Sequence, residues 1–358
     1  MRVLLGCKTL RKLLQQADVS VRLNEMTGDG EWAEGPTRHD PLSPLWEKIT
    51  KYPRNVLLGH MRKQVAAGCP SWQWRVALRR LLSVSVVNPF REWLATLPEW
   101  DGQPRLDLML DQVLDVDSGC DPELAGWAGR HYVMGAIARQ LQGRGGDYSA
   151  VGEGDRSRLP LLVGSRWASY RSLATALLPP EPFAQEWMDS LWAHSLGGDS
   201  WDAKERMRGT QGRVFAVVDD LLGQPREVLR CATDSLARVH DKPRHMLDRS
   251  ALRYSAAQHG GRRRLDYRRR VVLVVGASNG LDKLATIPNL NSRLVAIPVR
   301  RDRFERDDMK DPVYWDQLWA EGLKRLSDGE SLRFPEALLP AAHDSNTRLM
   351  GDLSQYCR

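Results

Sequence analysis

Four short apolar runs, mostly β-branched, punctuate the second half of the chain at residues 159–163, 214–218, 271–275 and 294–298. Segments long enough for helices separate them. Continuous apolar runs of this length mark strands covered on both faces, as in a parallel sheet. Earlier in the chain the period differs. Over residues 72–82, Trp74, Ala77, Leu78, Leu81 and Leu82 recur at helical spacing. Residues 9–16 read as a basic helix and 106–141 as helical. Between these lie a turn at 27–30, a Pro-rich linker at 36–44, and a turn at Asp101-Gly102 closed off by Pro104. Five glycines over 143–154 make that stretch a loop or linker. The pattern predicts an α/β domain over 159–300. A mixed, mainly helical N-terminal region (1–98), a helical linker region (99–158) and a C-terminal helical extension (301–358) surround it.

Composition narrows the class. With 358 residues, 42% hydrophobic, 27% charged and thirteen Trp, the chain is globular and long enough for two or three packed units. A net charge of +7 and a pI near 9.3 favour a polyanionic partner. Cys7, Cys69, Cys120, Cys231 and Cys357 are dispersed, with no CxxC and no histidine at ligand spacing. They read as reduced thiols rather than a disulfide framework or zinc site. No apolar run reaches the roughly 18–20 residues a membrane helix needs, and the N-terminus is too short for a signal peptide. The expected location is the cytoplasm.

The chemistry that suits such a sheet is nucleotide binding. In a P-loop, backbone N–H groups at a strand-to-helix turn surround the phosphates, and a Lys and a Ser/Thr meet phosphate and Mg²⁺. Here the first run leads into GSRWASYRS (164–172). Gly164, Ser169, Arg171 and Ser172 are the candidate phosphate-contacting residues, with Tyr170 at the lysine position and Arg171 at the metal-hydroxyl position. The second run ends in Asp219 and Asp220, the form of a Walker B strand: Asp219 would hold the metal and Asp220 orient the attacking water. The third leads through Gly276 to Asn279, a polar residue placed as a sensor of the γ-phosphate. Arg293 precedes the fourth run, where a neighbouring subunit's arginine finger would be carried.

Several segments, in order, resemble the virulence-associated protein E (VirE/VapE) family of phage- and island-encoded proteins. LNEMTG (23–28) is similar to the family's LRYNEFTG. NPFREWL (88–94) and LPEWDGQPRLD (97–107) are similar to NPVRDYLESLPPWDGVPRLD. QGR (211–213) resembles part of LQGKW, and DQLWAE (316–321) part of DQLWAEA. The resemblance spans most of the chain. It implies an AAA+ domain of the superfamily 3 helicase type, acting in DNA replication with ATP and Mg²⁺. The family's GPQGIGKST is reduced here to its first glycine and final hydroxyl, Ser172, and its paired arginines before the last strand to Arg293. Tyr170 removes the cation that meets the β- and γ-phosphates, and an arginine one position along a helix does not replace it. The expectation is therefore weak or lost ATPase activity.

Gly260-Gly261 separates two arms of a candidate β-hairpin placed just before the sensor strand. Its second arm carries Arg262, Arg263, Arg264, Tyr267, Arg268, Arg269 and Arg270. Arginines on phosphates and a tyrosine under a base are the components of sequence-tolerant single-strand binding. DNA, single-stranded, is thus the expected partner. An arginine finger acts only on a neighbour's nucleotide, so Arg293 also implies a homo-oligomer. Three functions stay open: a replication-associated DNA-binding protein with weak or lost ATPase activity, an active superfamily 3 helicase, and a pseudo-ATPase adaptor for a protein partner. No primase-like cluster is visible, so priming is not expected of this chain.

Overall fold

A computed structural model of the chain describes residues 7–16, 18–27, 29–34, 47–48, 71–141, 158–164, 170–179, 187–190, 212–218, 221–223, 229, 272–278, 283, 293–300 and 311–351. The chain divides into two compact units, Met1–Thr96 and Leu97–Arg358.

The first unit contains α1 (Cys7–Gln16), β1 (Val19–Asn24), β2 (Gly30–Glu34), β3 (Glu47–Lys48), α2 (Ser71–Val84), β4 (Val86–Val87) and α3 (Pro89–Leu94). Beside the expected helices it therefore carries a sheet, in the order β3-β2-β1-β4, that the helical periodicity did not reveal. Its strands are short, and β3 and β4 have two residues each, too few to print an alternating pattern on the sequence. The β1–β2 connection is an Asx turn. Asn24 Oδ1 accepts from Met26 N at 2.9 Å, while Asn24 Nδ2 and Arg22 Nε each reach Glu31 at 2.7 Å. The NPFREWL segment is a capped helix: Asn88 accepts from Arg91 N, and Pro89 occupies the first turn, where a missing N–H costs nothing.

In the second unit, α4 (Met109–Leu114) and α5 (Pro122–Leu141) replace the single helical stretch expected over 106–141. The break has local causes. Asp115 adopts φ +50° at the end of α4, and Asp121 accepts from Glu123 N just before Pro122 to start α5. The sheet comprises β5 (Leu159–Gly164), β6 (Met188–Ser190), β7 (Phe215–Val218), β8 (Val272–Ala277) and β9 (Leu294–Val299). Its order is β6-β7-β8-β5-β9, and every pairing is parallel. The four expected runs are all strands, each buried along its length. β6, which is three residues long, was not anticipated. After β5 comes α6 (Tyr170–Ala176), and α7 (Pro312–Ser327) and α8 (Leu339–Gly351) close the chain's described part. This is a P-loop-like α/β fold, a parallel sheet flanked by helices.

Alternate strand residues build two cores. Leu161, Val163, Ala216, Val218, Leu273, Val275 and Ala296 share one with Leu349 of α8. On the other face, a Cβ on Gly135 of α5 would lie 3.8 Å from Val272, and Trp319 of α7 meets Phe215 at 6.5 Å between ring centroids. The outer edge of β9 is sealed. Asn346 accepts from Ala296 N at 2.8 Å and donates to Leu294 O, Ser345 donates to Ala296 O, and Asp117 N donates to Pro298 O. Pro298 falls on this outward register, so its missing N–H leaves no gap in the sheet. An edge with its backbone groups taken up cannot template another strand.

The LPEWDGQPRLD segment is clamped by α7, more than 200 residues away in sequence. Gln317 accepts from Asp101 N at 2.8 Å and donates to Glu99 O at 3.1 Å. Glu321, fully buried, accepts from Arg105 N at 2.6 Å and Leu106 N at 3.0 Å. Arg325 pairs with Asp107 at 2.8 Å, which Arg130 of α5 also meets. Within the segment Asp101 and Arg105 form a bidentate pair, and Gly102 turns the chain at φ +82°.

These contacts fix a pH dependence. The Arg105 hydrogen bonds hold Asp101 down at about 2. Burial would raise Asp107, but the hydrogen bond and charge of Arg325, with the charge of Arg130, leave it below the usual carboxylate range. A folded pKa below the unfolded one gives stability that is complete above about pH 4 and is lost as pH falls toward the folded value. The urea midpoint should therefore hold steady from neutral pH down to that point and then drop. Asp107→Asn should begin lower and drop less. An identical acid slope in parent and variant would show that Asp107 does not contribute.

Candidate functional site

The carboxyl ends of β5, β7 and β8 meet at one edge, because all three strands run parallel and are neighbours in the order β7-β8-β5. Val163 pairs with Ala277 and Val218 with Val275. The chain leaving β5 heads toward β6, past β8 and β7. The chain leaving β8 heads the other way, past β5 to β9. Right-handed crossovers that leave adjacent parallel strands in opposite directions lie on opposite faces of the sheet and leave a crevice between the strands' carboxyl ends, the usual ligand position in open α/β sheets.

Tyr170 fills this crevice. It is the first residue of α6, 6% exposed, and its hydroxyl donates to Ala277 O at 3.0 Å. Its ring lies against Gly276: a Cβ there would overlap ring carbons Cδ2 and Cε2. A glycine inside a buried strand loses packing and backbone entropy, and it marks a close approach. Here the approaching group is the ring. Behind it, on α5, stands Tyr132, wholly buried, with no hydrogen-bond partner for its hydroxyl. Burial first, and then neighbouring Tyr170, push that hydroxyl's pKa well above the ordinary tyrosine value.

Of the other sequence candidates, Gly164 ends β5 opposite Val299 and is buried. Arg171 follows Tyr170 on α6 but is exposed, and Ser172 is half-buried. Arg293 stands immediately before β9, at the amino-terminal edge, since Leu294 pairs with Leu159 and Val299 with Gly164. A six-residue strand separates it from the crevice, roughly 20 Å at strand rise. The structure thus brings Gly164 and Tyr170 to the crevice and leaves Arg293 at the far end of the sheet. Ser169, Asp219, Asp220 and Asn279 lie outside the described residues. So do Arg262, Arg263, Arg264, Tyr267, Arg268, Arg269 and Arg270. By sequence, Asp219 directly follows β7, and Asn279 comes two residues after β8.

One cation at this edge had not been singled out. Lys283, six residues beyond β8, donates from Nζ to Leu222 O at 2.8 Å. Leu222 belongs to the 3-10 turn Leu221–Gly223, two residues past Asp220. Among the described residues no group of three or more His, Cys, Asp or Glu is disposed to hold a metal ion, and no helix is long and apolar enough to cross a membrane.

Fold and crevice define a P-loop-like α/β protein whose switch point is filled by its own side chain. No protein-family model matches the chain, and no curated protein does. Among solved structures it is similar to the apo structure of the NrS-1 C-terminal region (305-718), at 9% identity over 97% of this chain and 74% of that one, TM-score 0.48. An A form apo structure of the same region gives 10% identity, 96% and 75% coverage, and a TM-score of 0.49.

Proposed function

We propose that this chain is a DNA-binding, replication-associated, helicase-like protein of a phage or mobile element, with an AAA+-type domain whose ATPase activity is weak or lost. The observation behind the last part is Tyr170. A nucleoside triphosphate needs open backbone donors and a cation at the β5–β8 crevice. The residues there do not suit it: a buried ring stands at the lysine position, tied to Ala277 O, and the neighbouring cation, Arg171, is exposed. No chemical step is therefore assigned to ATP or Mg²⁺.

The DNA reading is supported by the arginines of 262–270 and the net charge of +7. The replication setting rests on the family-like segments. A homo-oligomer on DNA is part of the same proposal, supported by Arg293 at the sheet end away from its own crevice. Replacing Arg262, Arg263 and Arg264 together with Ala should weaken binding to single strands of any sequence. Each lost phosphate contact should also flatten the log–log salt slope by about 0.7. The parent should bind single strands equally well with and without ATP and show no DNA-stimulated turnover. An unchanged salt slope in the triple variant would move the adaptor reading to first place. Turnover that disappears in Asp220→Ala would instead establish an active helicase.

A further inference from the structure

We propose that Arg158, seated on Phe334 at the amino-terminal edge of the parallel sheet, contacts the phosphates of single-stranded nucleic acid. The inference rests on the DNA-binding reading and gives it a second contact, one that includes none of residues 262–270.

Arg158 directly precedes β5 and is half-buried. Its guanidinium carbon lies over the Phe334 ring, 5.1 Å from the centroid, a cation–π distance. Trp127 of α5 is buried and meets the same ring edge-on at 4.8 Å between centroids, so the platform is fixed in the core. A ring contact uses none of the guanidinium N–H donors. Among the described residues no carboxylate or carbonyl takes them up: burial alone acts on Arg158, and it lowers the pKa from the ordinary arginine value.

A desolvated guanidinium is costly unless an anion faces it, and the same unit pairs comparable groups. Arg325, also half-buried, meets Asp107 and Glu321. Burial would lower its pKa, but the hydrogen bond and charge of Asp107 outweigh that and raise it. Around Arg158 the neighbours are cations instead. Leu159 pairs with Leu294, so Arg293, the residue before Leu294, stands beside Arg158 on the next strand, about 4.8 Å away between strands. Arg333, exposed, adjoins Phe334. Glu330, just ahead of that loop, is taken by Arg130 and Arg325, and Glu336, just beyond it, is exposed. The missing partner is an anion from outside. A guanidinium fork fits a phosphate through two N–H donors, and a nucleic-acid strand repeats that group along its length, as the edge repeats its arginines.

The test uses the full chain and a fluorescein-labelled oligothymidine, with anisotropy followed across a salt series. Arg158→Gln should weaken binding about tenfold and flatten the log–log salt slope by about 0.7, the loss of one phosphate contact. Arg158→Lys keeps the charge and loses the fork, so its slope should match the parent while affinity falls about threefold. Arg80→Gln makes the same change in net charge at an exposed arginine of the first unit, and should leave both quantities unchanged. Added to the Ala replacements of Arg262, Arg263 and Arg264, Arg158→Gln should multiply the loss. A folded Arg158→Gln with the parent's affinity and slope overturns the proposal, as does an equal effect of Arg80→Gln. If Arg158→Gln does not fold, Arg158→Lys decides, and unchanged affinity in that variant overturns the proposal. Failure of the DNA reading shows separately, as a parent that binds no oligothymidine. Capture of polyglutamate by such a parent, lost in Arg158→Gln, would make this edge a protein contact and overturn the nucleic-acid assignment.

Discussion

Gly276→Ala is expected to destabilise the second unit by about 3 kcal/mol or more, at the upper end of what overpacking a core costs. The substitution would be mild in most buried strands, where alanine is better tolerated than glycine. Here the added methyl would overlap the ring of Tyr170. The ring has little room to yield, being 6% exposed and held through its hydroxyl to Ala277 O, the next residue of the same strand. The strand is equally constrained, paired to β5 on one side and β7 on the other. Tyr170→Ala alone should cost a comparable amount, because it empties a ring-sized volume. In the Tyr170→Ala background, however, Gly276→Ala should become neutral or stabilising. Urea unfolding of the four proteins closes the cycle, with an expected coupling of about 3 kcal/mol, at the top of the usual range for residues in contact. Additive losses would mean that ring and glycine do not share the crevice, and the case for a self-filled switch point would fall with them.

The second unit's architecture was largely written in its apolar runs, because a strand covered on both faces must be apolar along its whole length. β5, β7, β8 and β9 all appear where those runs are. β6 escaped because three residues of mixed character, Met188, Asp189 and Ser190, print no pattern. In the first unit β3 and β4 are too short to print a pattern, but β1 alternates apolar and polar residues as VSVRLN, a legible period-two signal that the helical reading passed over. At the candidate site, sequence spacing placed Tyr170 at the lysine position, but could not say that the ring folds inward onto Gly276. The glycine offered a hint: a strand that ends VVLVVGAS puts a residue without a side chain at the very edge where a ligand or ring approaches. The resemblance segments turn out to be structural pins. Asn24 makes an Asx turn, Asn88 caps α3, and WDGQPRLD is held by DQLWAE. Such long-range pairing is invisible to periodicity, since the partners stand more than 200 residues apart.

That clamp carries the other large effect. Glu321→Ala is expected to cost about 3–5 kcal/mol, the range for removing one member of a buried charged network, and a sizeable part of the roughly 5–15 kcal/mol that holds a typical domain folded. The carboxylate is fully buried. Oε2 accepts from Arg105 N and Leu106 N. Oε1 lies 2.6 Å from Arg325 Nη2, an ion pair that is not aligned as a hydrogen bond. Alanine removes the acceptor from two N–H donors and leaves Arg325 to Asp107 and the more distant Glu330. Glu321→Gln retains one oxygen for the two N–H groups but turns an amide NH₂ toward Arg325, so its loss should be smaller, on the order of 1–3 kcal/mol. Urea unfolding measures the loss, and hydrogen exchange at Arg105 and Leu106 locates it. Both amides should lose protection in the alanine variant and keep it in the glutamine variant. If Glu321→Ala stays within about 0.5 kcal/mol of the parent, as an ordinary surface change would, and both amides remain protected, α7 does not hold the WDG segment. The fit between those two blocks would then need another cause.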